Sequence, residues 1–268
     1  GFSLTVTDVD EFDVSAPTDS DASANTVAEN AALNTLVGLT ASASDDDGST
    51  NTLTYSLVSD AQGTAAYSGG EFAIDAASGV VRVAGGIDHE AGTTRVLFVK
   101  ASSADGSSAI SSFTIDVSDV NDNAPLFSSG ATGSVAEQAD TATVIYQAVT
   151  TDADGTAANR EVLYSLKAAT GDAAALTIDS INGAVTLKAS ADFETKVSYS
   201  FTVVATNGAQ ITEQAVTVNV TDVNDQPTGN VVITGTASQG ETLTADPSAI
   251  ADADGLGSNG FSYQWKAD

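Results

Sequence analysis

The sequence predicts an all-β protein, made of tandem two-sheet sandwiches in an extended array. Three observations predict it. Several segments alternate apolar and polar residues with the period of a strand. The chain repeats itself at about one domain length. No capped amphipathic run is long enough for a major helix.

The elements follow in order. Phe2-Ser3-Leu4-Thr5-Val6-Thr7 reads as a strand, followed by Leu53 to Val58, Val80 to Val83, Val96 to Val99 and Phe113 to Val117. Val185 to Leu187, Ser198 to Val204 and Ala215 to Val220 show the pattern again. Alternation gives each strand one core face. About seven such strands, broken by Gly, Asn and Asp turns, suit a sandwich of about 100 residues. Tyr55 and Tyr164 occupy matching strands, where the expected role is a core ring with its hydroxyl at the sheet edge.

The repeat has five landmarks in one order. Asp119-Val120-Asn121-Asp122 returns as Asp222-Val223-Asn224-Asp225, 103 residues on. Asp88-His89-Glu90 returns as Asp192-Phe193-Glu194, and Phe72 to Asp75 before Gly79 returns as Leu176 to Asp179 before Gly183, both at 104. Ala28-Glu29-Asn30 returns as Ala136-Glu137-Gln138 at 108, and Tyr55 as Tyr164 at 109. A unit this long is a domain of a tandem array and not a solenoid turn.

Composition narrows the function. The 268 residues suggest two domains and part of a third. With 36 acidic and 8 basic side chains, the net charge of −28 argues against nucleic acid and anionic membrane surfaces as partners. Zero cysteines exclude disulfides, thiol catalysis and thiolate metal sites, and a single histidine argues against His-rich zinc or copper sites. No apolar run reaches the roughly 20 residues of a membrane span. The carboxylates come in short tracts, among them Asp45–Asp47, Asp88–Glu90, Asp119–Asn123, Asp152–Asp154, Asp192–Glu194, Asp222–Asp225 and Asp252–Asp254. A solvated acidic surface accounts for the total charge but not for tracts that recur. Like charges packed together cost energy unless a cation lies between them. The cation that fits is hard and binds oxygen: calcium takes six to eight oxygens at about 2.3–2.6 Å.

Taken together, Ala28-Glu29-Asn30, Asp45-Asp46-Asp47-Gly48, Leu53 to Leu57, Asp75 to Gly79, Asp88-His89-Glu90 and Asp119-Val120-Asn121-Asp122-Asn123-Ala124-Pro125 resemble cadherin repeats. Glu137, Asp152-Ala153-Asp154, Tyr164-Ser165, Asp192-Phe193-Glu194 and Asp222 to Asp225 carry the resemblance into a second copy. It covers about residues 15 to 226 and implies Greek-key sandwiches with about three calcium ions at each complete junction between repeats. Carried over by position, the first junction would use Glu29, Asp88, Glu90, Asn121 and Asp122, main-chain oxygens of Val120 and Asn123, and Asp152, Asp154, Asn207 and the Asn159 carbonyl, with Asp119 in reserve. Its six carboxylates would balance the charge of three calcium ions. The second would use Glu137, Asp192, Glu194, Asp222, Val223, Asn224 and Asp225 with Asp252 and Asp254, and a preceding one Asp8, Asp10 and Glu11 with Asp45 and Asp47. Ser103 and Asn207 stand where cadherins usually carry Asp; Ser103 weakens a full third site at the preceding junction, and Asn207 keeps an oxygen but loses a charge.

The domain reading is 1–14 as the last strand and linker of an earlier repeat, 15–123 and 124–226 as cadherin-like repeats, and 227–268 as part of an immunoglobulin-like repeat. In that last segment Trp265, after Tyr263 and Gln264, would be the core tryptophan. The cysteine-free, lysine-poor composition is similar to secreted bacterial adhesins of the RTX type. The expected function is thus a calcium-rigidified extender of a large extracellular surface adhesin in cell adhesion or biofilm attachment. It would be a monomeric rod whose partners are its adjacent repeats, with neither nucleic acid bound nor membrane inserted, and with the distal ligand open. The alternative is a calcium-dependent carbohydrate- or protein-binding module, for which the Asp60 to Glu71 loop with Tyr67 is the candidate. An enzyme is not expected, because His89 sits at the variable middle position of a calcium motif and the acidic pairs recur in both copies.

Overall fold

A computed structural model describes residues 1–4, 12–47, 49–256 and 261–264. The chain divides into two units: 1–124 with 152–161 and 207–210, and 125–151 with 162–206 and 211–268. Among the described residues the regular elements are strands, apart from one short 3-10 turn at Ala173–Ala175, and no helix is long and apolar enough to cross a membrane.

The first unit holds β1 (Thr18–Asp19), β2 (Thr26–Ala28), β3 (Leu36–Ser42), β4 (Leu53–Val58), β5 (Phe72–Ile74), β6 (Val80–Val83), β7 (Thr94–Ser103) and β8 (Ser108–Ser118). They form two four-stranded sheets, β2-β8-β7-β4 and β1-β3-β6-β5. The core is the inward half of each alternating strand: Val37 and Leu39, Val81 and Val83, Leu97 and Val99, Ile115 and Val117. β2 runs parallel to β8 and the other pairings are antiparallel.

The second unit repeats this plan. Its strands are β9 (Leu126–Phe127), β10 (Thr132–Ala136), β11 (Val144–Gln147), β12 (Thr150–Thr151), β13 (Leu163–Leu166), β14 (Leu176–Ile178), β15 (Ala184–Leu187), β16 (Ser198–Asn207) and β17 (Gln210–Thr221), then β18 (Val232–Thr234) and β19 (Thr244–Asp246). The sheets are β10-β17-β16-β13 and β11-β15-β14, with small β12-β9 and β18-β19 pairs. β10 again runs parallel to the last long strand, β17. Ile145, Val185, Phe201, Val203 and Val218 centre the core, and Tyr146 meets Phe201 edge-on with ring centroids 6.0 Å apart.

The strands read from alternation lie inside β4, β6, β7, β8, β15, β16 and β17. Both matching tyrosines are buried with bonded hydroxyls: Tyr55 accepts from the Ala43 N–H at 3.0 Å, and Tyr164 lies 2.8 Å from the Thr150 hydroxyl. The Asp75 to Gly79 landmark is a turn. Asp75 Oδ1 accepts from the Ala77 and Ser78 N–H groups, and Asp179 does the same for Ile181 and Asn182. Gly79 and Gly183 close the turns at φ of 72° and 74°, and a Cβ on Gly79 would collide with the Ala41 carbonyl. Of the strand expected over 2–7, Phe2 to Leu4 are exposed and unpaired among the described residues, and 5–7 lie outside them. Phe261 to Gln264 form no strand, and Trp265 lies outside the described residues.

Neighbours on β7 test the sandwich. Leu97 is 1 % exposed and Val96 is 55 % exposed. Leu97→Ala should destabilise the domain by about 2–5 kcal/mol, and Val96→Ala by less than about 0.5 kcal/mol. Equilibrium urea denaturation measures both, and equal losses would contradict the assigned faces.

Candidate metal centres

Glu29 and Glu137 directly follow β2 and β10 and are almost fully buried, at 2 % and 3 % exposed. A buried carboxylate needs donors for both oxygens. Glu29 Oε2 accepts from the His89 N–H and Oε1 from the Val120 N–H, both at 2.7 Å. Glu137 accepts from the Phe193 and Val223 N–H groups, again both at 2.7 Å. Each glutamate thus ties the Asp-X-Glu loop to the linker motif of its repeat.

Around Glu29, Asp88 and Glu90 bring ligand oxygens within 4.8 Å of one another. Asp88 Oδ1 caps its own loop through the Glu90 and Ala91 N–H groups at 2.8 and 3.2 Å. Arg95 fixes the same loop from its carbonyls, donating to Asp88 O and Gly92 O while its Nε pairs with Glu71. A cavity of about 360 Å³ lies here, lined by Glu29, Asn30, Ile87, Asp88, Glu90, Asp122, Asn123 and Ala153. Loss of water, with the neighbouring Glu29 carboxylate, holds Glu90 above the ordinary carboxylate range.

Asp154 is fully buried. Its Oδ1 accepts from the Asn123 N–H at 3.1 Å and the Asn123 side chain at 2.9 Å, with the Asp122 N–H at 3.4 Å. Its Oδ2 is buried and meets no donor, and neither does Asn121 Oδ1. Leaving such an oxygen unsatisfied costs about 1–3 kcal/mol. Asn207, also buried, donates to Asp152 Oδ2 at 2.9 Å and to the Asn159 carbonyl, and accepts from Asn121. Asp119 is locked by the Gly155 and Thr156 N–H groups at 3.2 and 2.6 Å. Burial pushes its carboxyl up, but the bonds from Thr156 and Gly155 outweigh that and hold it low. His89 Nδ1 stands 3.4 Å from Glu90 and 3.8 Å from Asp119, and its ring fills the space a Cβ on Gly155 would take.

The second unit gathers Glu137, Glu194, Asp222 and Asp254 within 4.8 Å. Asp225 joins through its N–H, which donates to Asp254 Oδ2, and Asp252 caps the Asp254 N–H at 3.1 Å. Loss of water and then Asp254 hold Asp222 high; loss of water, Glu137 and Asp254 do the same for Asp225. Glu194's own N–H pulls its carboxyl down, but loss of water, Glu137 and Asp254 outweigh it and hold it high. Asp192 caps the Thr195 N–H, and Asn224 turns its amide onto the Asp225 carbonyl. Both stand outside the four-residue group.

A third cluster joins Asp45 and Asp47 with Asp105, a residue the sequence reading passed over. Asp105 lies on the β7–β8 hairpin tip, where the Ser103 N–H bonds the Ser107 carbonyl. Ser103 donates its hydroxyl to Asp45 and thereby lowers that carboxyl. Asp105, two residues after Ser103, thus brings to Asp45 and Asp47 a carboxylate that position 103 itself does not carry. The signal was Asp105-Gly106 closing a hairpin. Asp8, Asp10 and Glu11 lie outside the described residues. In the 60–71 loop, Asp60 accepts from Gln62 and Thr64, and Glu71 pairs with Arg95, so these acids are occupied locally.

The donor set is all-oxygen apart from His89, is crowded with negative charge, and includes buried oxygens without donors. It fits a hard divalent cation. Glu29, Asp88, Glu90, Asn121, Asp122, Asp152 and Asp154 would hold it in the first unit, and Glu137, Glu194, Asp222, Asp225 and Asp254 in the second.

Comparison with known proteins agrees with this architecture. The cadherin-domain profile matches residues 23–118 and 131–221. The chain is 32 % identical over 212 residues to Protein dachsous of Drosophila melanogaster, covering 75 % of this chain and 6 % of that protein. It is 30 % identical over 272 residues to Protocadherin Fat 1 of Homo sapiens, covering 97 % of this chain and 6 % of that protein. The chain thus spans a small part of the length of these relatives. Among solved structures, protocadherin gammaB7 EC3-6 as a cis-dimer superposes with a TM-score of 0.70 at 22 % identity, covering 84 % of this chain and 55 % of that one. Mouse Cadherin-23 EC22-24 superposes at 0.64 with 27 % identity, covering 81 % and 67 %. With two matched domains, two repeated sandwiches and the same acidic landmarks in each, the chain belongs to the cadherin family.

Proposed function

We propose that this segment is a calcium-stiffened extender of a large extracellular adhesion protein, structural and not catalytic in its action. The observation that carries this reading is Asp154: a fully buried carboxylate with one oxygen bonded to the linker residue Asn123 and the other without a donor. Bound calcium supplies the positive charge that the clusters lack. The chain's own residues do the rest. Glu29 and Glu137 clamp the loops, the linker aspartates join them, and the neutralised linkers fix one repeat against the next. About three ions per complete junction follows from the carboxylate count. The finer reading, a secreted bacterial adhesin of the RTX type acting in attachment or biofilm, is supported by the absence of cysteine and the 8 basic residues in 268. The relatives named above are animal proteins, so this part rests on composition alone.

Chelation tests the reading directly. Metal that binds only the folded state stabilises it by about 2.7 kcal/mol at 100 times its Kd. That corresponds to roughly 10–20 °C in Tm for a domain of 60–100 residues. A thermal melt and small-angle scattering in calcium and again in chelator should show that drop, with loss of extended dimensions. An unchanged profile would leave the carboxylate clusters as surface charge.

Asp154→Asn should weaken calcium binding by about tenfold or more, because an amide nitrogen cannot ligate and one charge is lost. The calcium-free Tm should hardly move. Calorimetric titration and a melt in chelator separate the two.

The metal-free protein should also respond to pH in a definite direction. Glu90, Glu194, Asp222 and Asp225 have folded pKa values above their ordinary ones. Their contribution is fully present below the ordinary carboxylate range and lost as pH rises through the folded values. In chelator, Tm should therefore rise as pH falls from neutrality towards the ordinary carboxylate range, while the gain from added calcium shrinks. A falling Tm over that window would refute the charge-repulsion account.

A further inference from the structure

Asn30 and Gln138 directly follow the two buried glutamates and belong to neither ligand set. Both hold a left-handed backbone, at φ of 55° and 58°. That conformation is uncommon for a residue with a Cβ and is found mostly where the surroundings impose it. Here the surroundings are plain. The Asn30 N–H donates to the Ile87 carbonyl at 3.1 Å and the Gln138 N–H to the Ala191 carbonyl at 3.0 Å. With the backbone so held, each side-chain amide reaches a linker carboxylate: Asn30 Nδ2 donates to Asp122 Oδ2, and Gln138 Nε2 to Asp225 Oδ1. Asp122 and Asp225 are equivalent positions of the repeat. The two amides differ by one methylene and still find the same acceptor, so the contact recurs although the residue type does not. A neutral donor is the chemistry this place needs. It orients a carboxylate without adding a positive charge that would repel an incoming cation.

We propose that Asn30 and Gln138 are positioning residues, which hold the Asp122 and Asp225 carboxylates ready so that less side-chain freedom is lost when calcium binds. This rests on the calcium reading above. The amides act before the metal does, and they act through the aspartates.

The test is calorimetric calcium titration of the full chain, with a thermal melt of each variant in chelator. Asn30→Gly removes the amide and relieves the left-handed backbone at once. It should weaken calcium binding at one junction by about 3–10-fold, the range for one typical net hydrogen bond, and leave the calcium-free Tm unchanged or higher. Gln138→Gly should do the same at the other junction, and Asn30→Gln, the residue the second repeat uses, should bind within about twofold of the unaltered chain. Calcium binding by Asn30→Gly equal to that of the unaltered chain would overturn the proposal. So would a calcium-free Tm that falls together with the affinity, since the bond would then be merely structural. An unaltered chain that binds no calcium would overturn the calcium reading itself and this proposal with it, a result distinct from the failure of the glycine variants alone.

Discussion

Two buried carboxylates organise this protein. Glu29 and Glu137 sit where a short parallel strand leaves the sheet, and neither can remain there ionised without donors on both oxygens. The donors come from one loop and one linker in each repeat, far apart in sequence. Satisfying one side chain therefore folds three segments onto one point. The remaining acids of each cluster ride on those segments and arrive together, so their repulsion is imposed by the hydrophobic fold and not chosen locally. The sandwich supplies the energy that crowds the charges, and a cation bound there would relieve what the sandwich has crowded.

Arg95 and Lys196 pair with acids outside the carboxylate clusters. Arg95 pairs with Glu71 and bonds the carbonyls of the Asp88 loop, leaving the loop carboxylates clear. Lys196 pairs with Asp172 and lies over the Tyr199 ring, 5.4 Å from its centroid. Asn207 plays a similar part: by carrying an amide it bridges Asp152 and the Asn159 carbonyl, a contact a carboxylate could not donate.

Much of this was legible in the sequence. β4, β6, β7 and β8 announce themselves by strict alternation, and both tyrosines fell where their strands placed them. β3 did not: Val37, Leu39 and Ala41 do alternate inward, but Gly38, at φ of 77°, stands between them as a weak strand former, and the pairing with β6 is irregular there. The clustering of Glu29, Asp88 and Glu90 was readable because the residues recur at one period. Asp105 was not, because only the fold-back of β7 onto β8, with Ser102 opposite Ser108, carries it to Asp45 and Asp47. Asn30 and Gln138 stood in plain view beside their glutamates, but a backbone angle is not written in a motif. The landmark Asp75 and Asp179 shows the converse, a recurring acid whose oxygen serves the N–H groups of a turn.

The parallel pairing of β2 with β8 and of β10 with β17 has a mechanical meaning. In each repeat the chain passes a two-residue strand, β1 or β9, then runs along β2 or β10 and leaves at the end of β8 or β17. Thr26 to Ala28 lie against Asp116 to Ser118, and Thr132 to Ala136 against Thr217 to Thr221, running the same way. Tension drawn along the chain then pulls the paired strands lengthwise past each other. Their hydrogen bonds are loaded together in shear and cannot be unzipped one at a time. This parallel pairing is three residues long in the first repeat and five in the second, so more bonds share the load in the second.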